Sequence, residues 1–310
     1  MCSRVPGRSL CSTSVNEALT WFQIWIFSIL KVGVSFVSFF SVLVQKIFFA
    51  KLQVKPQKNW QFKAREIAKV DSFYLKRNGG KLAAMFLQPK SDKLIDKSLF
   101  DTVVIFSHPI SRKAKYFCLD ASRAQLYLAR GCNVLAFDYN GFGESDRIDL
   151  FYWRDAVAAI EYVQNKFPQK KIILHGVSFG AFHIIRAISS LPENSRVILE
   201  NVNKSLFSYW RRWPSTRYLV ILLRLARVKA IQDMDVQSFF MGLQRRDLDM
   251  RFIACEEDDL TTLNEMEELY GLVMLEQKQF FVFSKARHLS APTSNPELYL
   301  SALFGERQKC

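Results

Sequence analysis

From Asp71 to Ser284 the chain alternates short β-rich runs with amphipathic stretches of helical period. Eight runs are predicted to be strands because they are rich in Val, Ile, Phe and Tyr and are bounded by turn residues. These runs are residues 71–76, 82–87, 102–107, 133–139, 171–175, 196–200, 251–255 and 279–284. The alternation predicts an α/β fold, in which helices cover both faces of an eight-stranded, mostly parallel sheet.

Two connections between these runs are informative. The first two runs are joined by "RNGG", a hairpin turn in which Asn78 and Gly79 can take positive φ at low cost, so this pair is expected to be antiparallel. The stretch "RDAVAAIEYVQNKF", residues 154–167, has helical period and precedes the fifth run. It is the kind of crossover helix that parallel neighbours require.

The fifth strand, "KIILH", leads directly into Gly176-Val177-Ser178-Phe179-Gly180 and then into the helical pattern "AFHIIRAISS". The spacing Gly-x-Ser-x-Gly is common by chance, but a nucleophile elbow requires this strand, turn and helix context. Gly176 and Gly180 are expected because a side chain at either position would strike the neighbouring strand or helix. Ser178 is therefore the predicted nucleophile.

A serine hydroxyl needs a histidine within hydrogen-bond reach and a carboxylate that orients this histidine. Of the four histidines, only His288 lies in a loop after the last strand, whereas His175 and His183 flank the elbow and are predicted to pack in the core. The seventh strand is followed by four consecutive carboxylates, Glu256, Glu257, Asp258 and Asp259. This chain order of serine, acid and histidine is typical of one hydrolase fold.

A further signature is "NVLAFDYNGFGESD", residues 133–146, which precedes the predicted crossover helix and the elbow. Together these motifs resemble the α/β-hydrolase superfamily, and more narrowly the membrane-anchored serine hydrolases of the Bem46 and α/β-hydrolase-domain-containing type. The resemblance runs from about Asp71 to the C-terminus. It implies His288 as the catalytic histidine and Asp258 as the acid, with Asp259 as the alternative acid. Glu200 is a further alternative, because a minority of the family carries the acid after the sixth strand.

The resemblance also implies an oxyanion hole made of two backbone N–H groups. Phe179, the residue after the nucleophile, supplies the first. The second comes from "SHPIS", where the family usually has His-Gly-x. Because Pro109 has no N–H, Ile110 is the predicted donor.

The segment from Ala18 to Ala50 is almost continuously apolar and long enough to span a bilayer. Because Lys31 lies near its middle, the segment is expected either to cross the membrane once or to enter and leave it on one side as a hairpin. A helix buried in the protein core is the alternative to a membrane segment. The predicted organisation is an N-terminal tail over residues 1–17, a membrane segment over 18–50, a basic linker over 51–70 and a hydrolase domain over 71–310.

Lysines and arginines are more numerous after the membrane segment than before it, which predicts that the hydrolase domain faces the cytoplasm. The six cysteines form no C-x-x-C pair, as expected of a reducing compartment. The formal net charge of +14 is concentrated beside apolar sequence, so it indicates a membrane surface rather than nucleic acid.

An insertion at about residues 202–250 is predicted to form a small cap over the site. One stretch of it combines apolar residues with Arg211, Arg212, Arg217, Arg224 and Arg227 and contains no acidic residue from 205 to 230. Such a basic amphipathic cap suits anionic lipid, although an ordinary cap helix with a solvated stripe is the alternative.

No phosphate-binding loop and no His/Cys cluster with metal-ligand spacing occurs in the sequence, which predicts neither a cofactor nor a metal. The sequence thus predicts a membrane-anchored serine hydrolase that cleaves an ester or thioester of an acyl or lipid substrate through an acyl-enzyme. A catalytically silent module of the same fold that only binds ligands, or a membrane scaffold, is the alternative.

Overall fold

A computed structural model describes residues 66, 68–120, 122–205, 217, 218, 221, 235–243, 245 and 247–305. The predicted tail and membrane segment lie outside these ranges, as do most of the basic linker and most of the cap. Within the described ranges, no helix has both the length and the apolar composition needed to cross a bilayer.

Eight strands form one sheet, as predicted. They are β1 Ala68–Arg77, β2 Gly80–Pro89, β3 Thr102–Ser107, β4 Asn133–Phe137, β5 Lys171–Val177, β6 Arg196–Glu200, β7 Asp249–Cys255 and β8 Lys278–Phe283. The spatial order is β1-β2-β4-β3-β5-β6-β7-β8. The pairs β1–β2 and β2–β4 are antiparallel, and all the other neighbours are parallel.

The β1–β2 hairpin extends further than its sequence pattern indicated, because its ladder runs from Ala68 opposite Pro89 to Arg77 opposite Gly80. Of the two central turn residues, Gly79 adopts left-handed backbone with φ 94°, and Asn78 does not. One positive φ is therefore sufficient to close this turn. Strand β4 is shorter than predicted, since it ends at Phe137 rather than at residue 139.

Eight α-helices are described. They are α1 Tyr116–Asp120, α2 Ser122–Leu128, α3 Trp153–Lys166, α4 Phe179–Ile184, α5 Gln237–Met241, α6 Leu263–Leu272, α7 Ala291–Ser294 and α8 Pro296–Phe304. Short 3₁₀ helices occupy Ser91–Lys93 and Ile185–Ser190. The crossover helix predicted for residues 154–167 is α3, displaced by one residue.

The two faces of the sheet bury alternate residues of each strand, as the period of two requires. Val104 and Phe106 of β3 belong to a core shared with α1, α2, α7 and α8. Val103 and Ile105 are equally buried and point to the opposite face, where α3 and α4 pack against the sheet. Both faces are covered, which explains why the central strands are almost continuously apolar.

Because β3 to β7 are parallel, their carboxyl ends meet at one edge of the sheet. Strand β8 is parallel to β7 as well, so the loops that follow β3, β5, β7 and β8 all begin there, and they carry the predicted site residues Ile110, Ser178, Asp258 and His288. The cap insertion also leaves from this edge, since Ser205 shortly after β6 forms an antiparallel bridge with Asp235.

Candidate active site

Ser178 lies between β5 and α4 in a strained backbone conformation, with φ 52° and ψ −114°. A residue with a side chain reaches this region at a cost of about 1–3 kcal/mol, so the surroundings must fix it there. The Ser178 N–H donates to the carbonyl of Glu200, the last residue of β6, at 2.7 Å. The strained turn thus presents the hydroxyl at the carboxyl edge of the sheet.

The two glycines of the elbow occupy positions without room for a side chain. A Cβ on Gly176 would lie 2.5 Å from the Ala181 Cα, in the helix that follows the turn. A Cβ on Gly180 would lie 2.1 Å from the carbonyl oxygen of Ser107, at the end of β3. These close approaches let α4 pack directly on the neighbouring strand ends and bring the loop after β3 beside Ser178.

The structure brings Ser178, His288 and Asp258 together, although 110 residues separate the serine from the histidine. The Ser178 Oγ lies 3.0 Å from Nε2 of His288, and the His288 Nδ1 lies 2.6 Å from Oδ2 of Asp258. An ionised carboxylate only accepts, so Nδ1 carries the proton and Nε2 presents its lone pair to the serine. This is the protonation pattern that a general base requires.

Asp258 is buried and accepts several hydrogen bonds besides that of His288. Its Oδ1 accepts from the backbone N–H groups of Leu260 (2.8 Å) and Thr261 (3.0 Å). Its Oδ2 accepts from the Asn201 side-chain amide at 2.8 Å and from the Thr261 hydroxyl. Burial alone would raise the pKa of Asp258, but the hydrogen bond from His288, the charge of this ring when it is protonated, and the bonds from Thr261 lower it below its usual value. The carboxylate is therefore charged at neutral pH.

Sequence reasoning missed Asn201 and Thr261. Asn201 directly follows β6, at the same sheet edge as Asp258, and adopts a positive φ of 52°. A polar residue at the carboxyl end of a central parallel strand is the signal that indicates it.

The two other candidate acids do not contact His288. Asp259 is exposed, whereas its neighbour Asp258 is 3 % exposed and turned inward. Glu200 is fully buried, but its carboxylate accepts from Arg123 and from the Tyr299 hydroxyl and lies 3.3 Å from the His175 Nε2. Of the three, the structure places Asp258 against the histidine.

The predicted oxyanion donors belong to two different elements. Phe179 is the first residue of α4, so its N–H has no acceptor earlier in that helix. Ile110 lies in the loop after β3, and the residue is 38 % exposed. The N–H of Ile110 remains the predicted second donor.

His108 fixes the loop that carries Ile110. Its Nδ1 lies 2.8 Å from the Pro109 carbonyl, and its Nε2 accepts from the Tyr139 N–H at 3.1 Å. Burial lowers the pKa of His108, so the ring is neutral and carries its proton on Nδ1. A neutral histidine thus ties the loop after β3 to the start of the loop after β4.

His175 and His183 lie in the core, where the sequence placed them. His175 is fully buried between the Tyr127 hydroxyl (3.2 Å) and Glu200. His183 packs against the Phe179 ring at 4.2 Å between centroids, and burial lowers its pKa to about 3. Nowhere in the described part of the chain do three or more His, Cys, Asp and Glu side chains group into a set able to bind a metal ion.

The fold of this chain also occurs in known proteins. A family model described as the alpha/beta hydrolase fold matches residues 119–203, from α1 past the elbow to the end of β6. An esterase of Pyrococcus furiosus superposes with a TM-score of 0.60 at 20% identity, over 81% of this chain and 95% of that one. The chain has the α/β-hydrolase fold. No curated protein matches it.

Two further solved structures share this fold. A serine hydrolase of Xanthomonas campestris, described as lacking a lid, superposes with a TM-score of 0.53 at 17% identity, over 75% of this chain and 92% of that one. An α/β serine hydrolase homologue of Coxiella burnetii gives the same TM-score and identity, over 75% of this chain and 96% of that one. Ser178 lies in the strand-to-helix turn after β5, the local context of a nucleophile elbow.

Replacing Gly180 by Ala is expected to destabilise the domain by about 1–3 kcal/mol, because the new Cβ must displace the backbone of Ser107. Gly271→Ala is the matched control, since a Cβ there meets no atom within 4 Å and lies in α6. Urea unfolding of the two variants measures the difference. A Gly180→Ala protein as stable as the control would contradict the close packing of the elbow.

Proposed function

We propose that the protein is a serine hydrolase that cleaves an ester or thioester through an acyl-enzyme. The observation that carries the proposal is the unbroken series of contacts from the Ser178 Oγ through the His288 ring to the Asp258 carboxylate. The strained elbow, the α/β-hydrolase fold and the similarity to an esterase support it. In this proposal the substrate is a small molecule that carries an acyl group.

In the proposed mechanism each of the three residues performs one step. The Ser178 hydroxyl attacks the carbonyl carbon while His288 Nε2 removes its proton, and Asp258 stabilises the imidazolium that forms. The N–H groups of Phe179 and Ile110 stabilise the oxyanion of the tetrahedral intermediate. His288 then donates its proton to the leaving alcohol or thiol, which leaves Ser178 acylated. Water, deprotonated by the same nitrogen, hydrolyses the acyl-enzyme and restores the serine.

We infer that this hydrolase is membrane-anchored and of the Bem46 type. The support is the apolar segment at residues 18–50 and the excess of Lys and Arg that follows it, which favours a catalytic domain on the cytoplasmic side. An acyl or lipid substrate fits an enzyme tethered in this way. The cap insertion, with its five arginines between residues 211 and 227, is proposed to contact anionic lipid.

A fluorophosphonate probe is expected to modify Ser178 covalently, and Ser178→Ala is expected to abolish this labelling. The hydroxyl lies at the end of the contact series and is required for the covalent adduct, whereas its loss removes one atom from a turn. The measurement is gel fluorescence of wild type and variant, with near-UV circular dichroism as the control for folding. If the alanine protein is still labelled, Ser178 is not the nucleophile. If the folded wild type is not labelled, the chain is a silent binding module.

Asp258→Asn is expected to slow ester turnover by about 10⁴-fold. The Asn amide no longer holds His288 in the tautomer with its proton on Nδ1, which leaves Nε2 free to accept the serine proton. Asp259→Asn is the matched control, since this neighbouring aspartate is exposed. Steady-state hydrolysis of aryl acyl esters by both variants measures the effect. A greater loss in the control than in Asp258→Asn would transfer the acid role to Asp259.

The protein is expected to remain in the membrane pellet after an alkaline carbonate wash, because the segment at residues 18–50 is apolar enough to insert into a bilayer. Protease added to intact cells is expected to spare the hydrolase domain, and permeabilisation is expected to expose it. Release by carbonate would contradict the membrane segment. Digestion of the domain in intact cells would contradict the cytoplasmic orientation.

A further inference from the structure

Glu200, the last residue of β6, contacts the nucleophile through its backbone. Its carbonyl accepts the N–H of Ser178 at 2.7 Å, the hydrogen bond that anchors the strained elbow. Its side chain is fully buried and pairs with Arg123 of α2. There it accepts from the Arg123 Nε at 3.0 Å, and the Arg123 Nη2 donates to its second oxygen.

Arg123 contacts the turn that carries the histidine. Its side chain is 3 % exposed, and Nη2 also donates to the carbonyl of Leu289 at 3.1 Å. Leu289 directly follows His288 and adopts a positive φ of 67°. An aliphatic residue enters the left-handed region only where its surroundings fix it there. The guanidinium is one such contact, and it binds the peptide unit between Leu289 and Ser290, one residue beyond the histidine.

The remaining contacts make this pair a fixed charged unit. The Tyr299 hydroxyl donates to Glu200 at 3.0 Å, and His175 lies on the same carboxylate oxygen. Burial alone would raise the pKa of Glu200, but Arg123 and the hydrogen bond of His175 lower it to about 2. The carboxylate is therefore ionised at every pH at which a histidine base operates.

We propose that Glu200 and Arg123 are positioning residues that set the Ser178 hydroxyl and the His288 ring in one geometry. Glu200 fixes the elbow through its carbonyl, and through Arg123 it fixes the Leu289 peptide and hence the orientation of His288. The acid remains Asp258, and Glu200 does not touch the reacting atoms. This inference rests on the proposed hydrolase function.

If the pair served stability alone, a folded protein without it would keep the wild-type labelling rate and the wild-type His288 proton. Replacing a whole buried ion pair by uncharged residues of similar volume is often neutral for stability, whereas removing one partner is strongly destabilising. The informative variant is therefore the double substitution Arg123→Met with Glu200→Gln. It removes both charges and the Arg123 bond to Leu289, while the Gln amide can still pair with Tyr299 and His175 and the residue 200 carbonyl remains.

The matched control is Arg251→Met with Asp249→Asn. Arg251 is also buried, with its side chain 6 % exposed, and it pairs with Asp249 at 2.9 Å. It likewise donates to a backbone carbonyl, that of Ala302, at 3.0 Å. Both residues lie in the first half of β7, whereas Asp258 follows the other end of this strand. The control thus removes a comparable pair that does not contact the triad, although the Asp249 side chain is 21 % exposed and also binds Arg196.

The first measurement is the rate of fluorophosphonate labelling of the full-length protein in mild detergent. The Arg123/Glu200 double variant is expected to lose about 10- to 100-fold in the maximal labelling rate with unchanged probe affinity, because a misplaced base is less effective at each encounter. The control is expected to remain within about twofold of wild type, as substitutions away from a reacting centre usually do.

The second measurement does not depend on activity. With ring-¹⁵N histidine the four histidines give four imidazole spin systems, and that of His288 is assigned with His288→Gln. The low-field proton shared by His288 Nδ1 and Asp258 is expected to shift or broaden in the Arg123/Glu200 double variant and not in the control. Urea unfolding establishes that each variant is folded. If the double variant does not fold, Arg123→Lys, which keeps the charge without the planar guanidinium, is measured instead.

A folded Arg123/Glu200 variant with slower labelling and an altered His288 proton supports the inference. A folded variant with the wild-type rate and the wild-type proton overturns it and leaves the pair a structural one. If wild type itself is not labelled, the proposed function fails, and the inference is then tested by the His288–Asp258 proton alone. A change of this proton in the double variant supports the positioning role, and an unchanged proton overturns it. The same criteria apply to Arg123→Lys.

Discussion

The strained backbone of Ser178 is the constraint on which the rest of the site depends. A serine with φ 52° is stable there because the chain on both sides is fixed, by β5 before it and by α4 after it. The glycines on either side let that helix approach its neighbours to distances at which a Cβ would overlap backbone atoms. The hydrogen bond to the carbonyl of Glu200 then joins the turn to the next strand. The position of the Ser178 hydroxyl is therefore fixed by the sheet and by the helix that packs on it.

Of the six non-glycine residues with positive φ in the described part of the chain, three are Ser178, Asn201 and Leu289. Asn201 and Leu289 are each adjacent to a residue that contacts the triad or belongs to it. Such conformations persist where tertiary contacts over-determine them, and they accumulate at functional sites. Here the contacts are the Asn201 bond to Asp258 and the Arg123 bond to Leu289. The site is therefore set by neighbouring strands and helices rather than by its loops alone.

Buried charge is paired throughout this region. Glu200 has Arg123, and Asp258 has His288 together with four further hydrogen-bond donors. Lys115, in the loop after β3, is paired with Asp138 at the end of β4. An unpaired charge at such depth would be strongly destabilising, whereas a paired one fixes the direction of each side chain. This pairing gives the carboxyl edge of the sheet a unique arrangement.

The sequence by itself determined the eight strands, the crossover helix, the elbow and the order of serine, acid and histidine. These are local properties, because apolar period and turn residues act over a few neighbours. Only the tertiary structure decided which of the consecutive carboxylates Asp258 and Asp259 faces His288, and that Glu200 faces Arg123 instead. It also revealed Asn201 and Thr261, which no spacing rule marks. Contacts between residues far apart in the chain depend on the order of strands in the sheet, and a linear pattern of hydrophobicity does not contain that order.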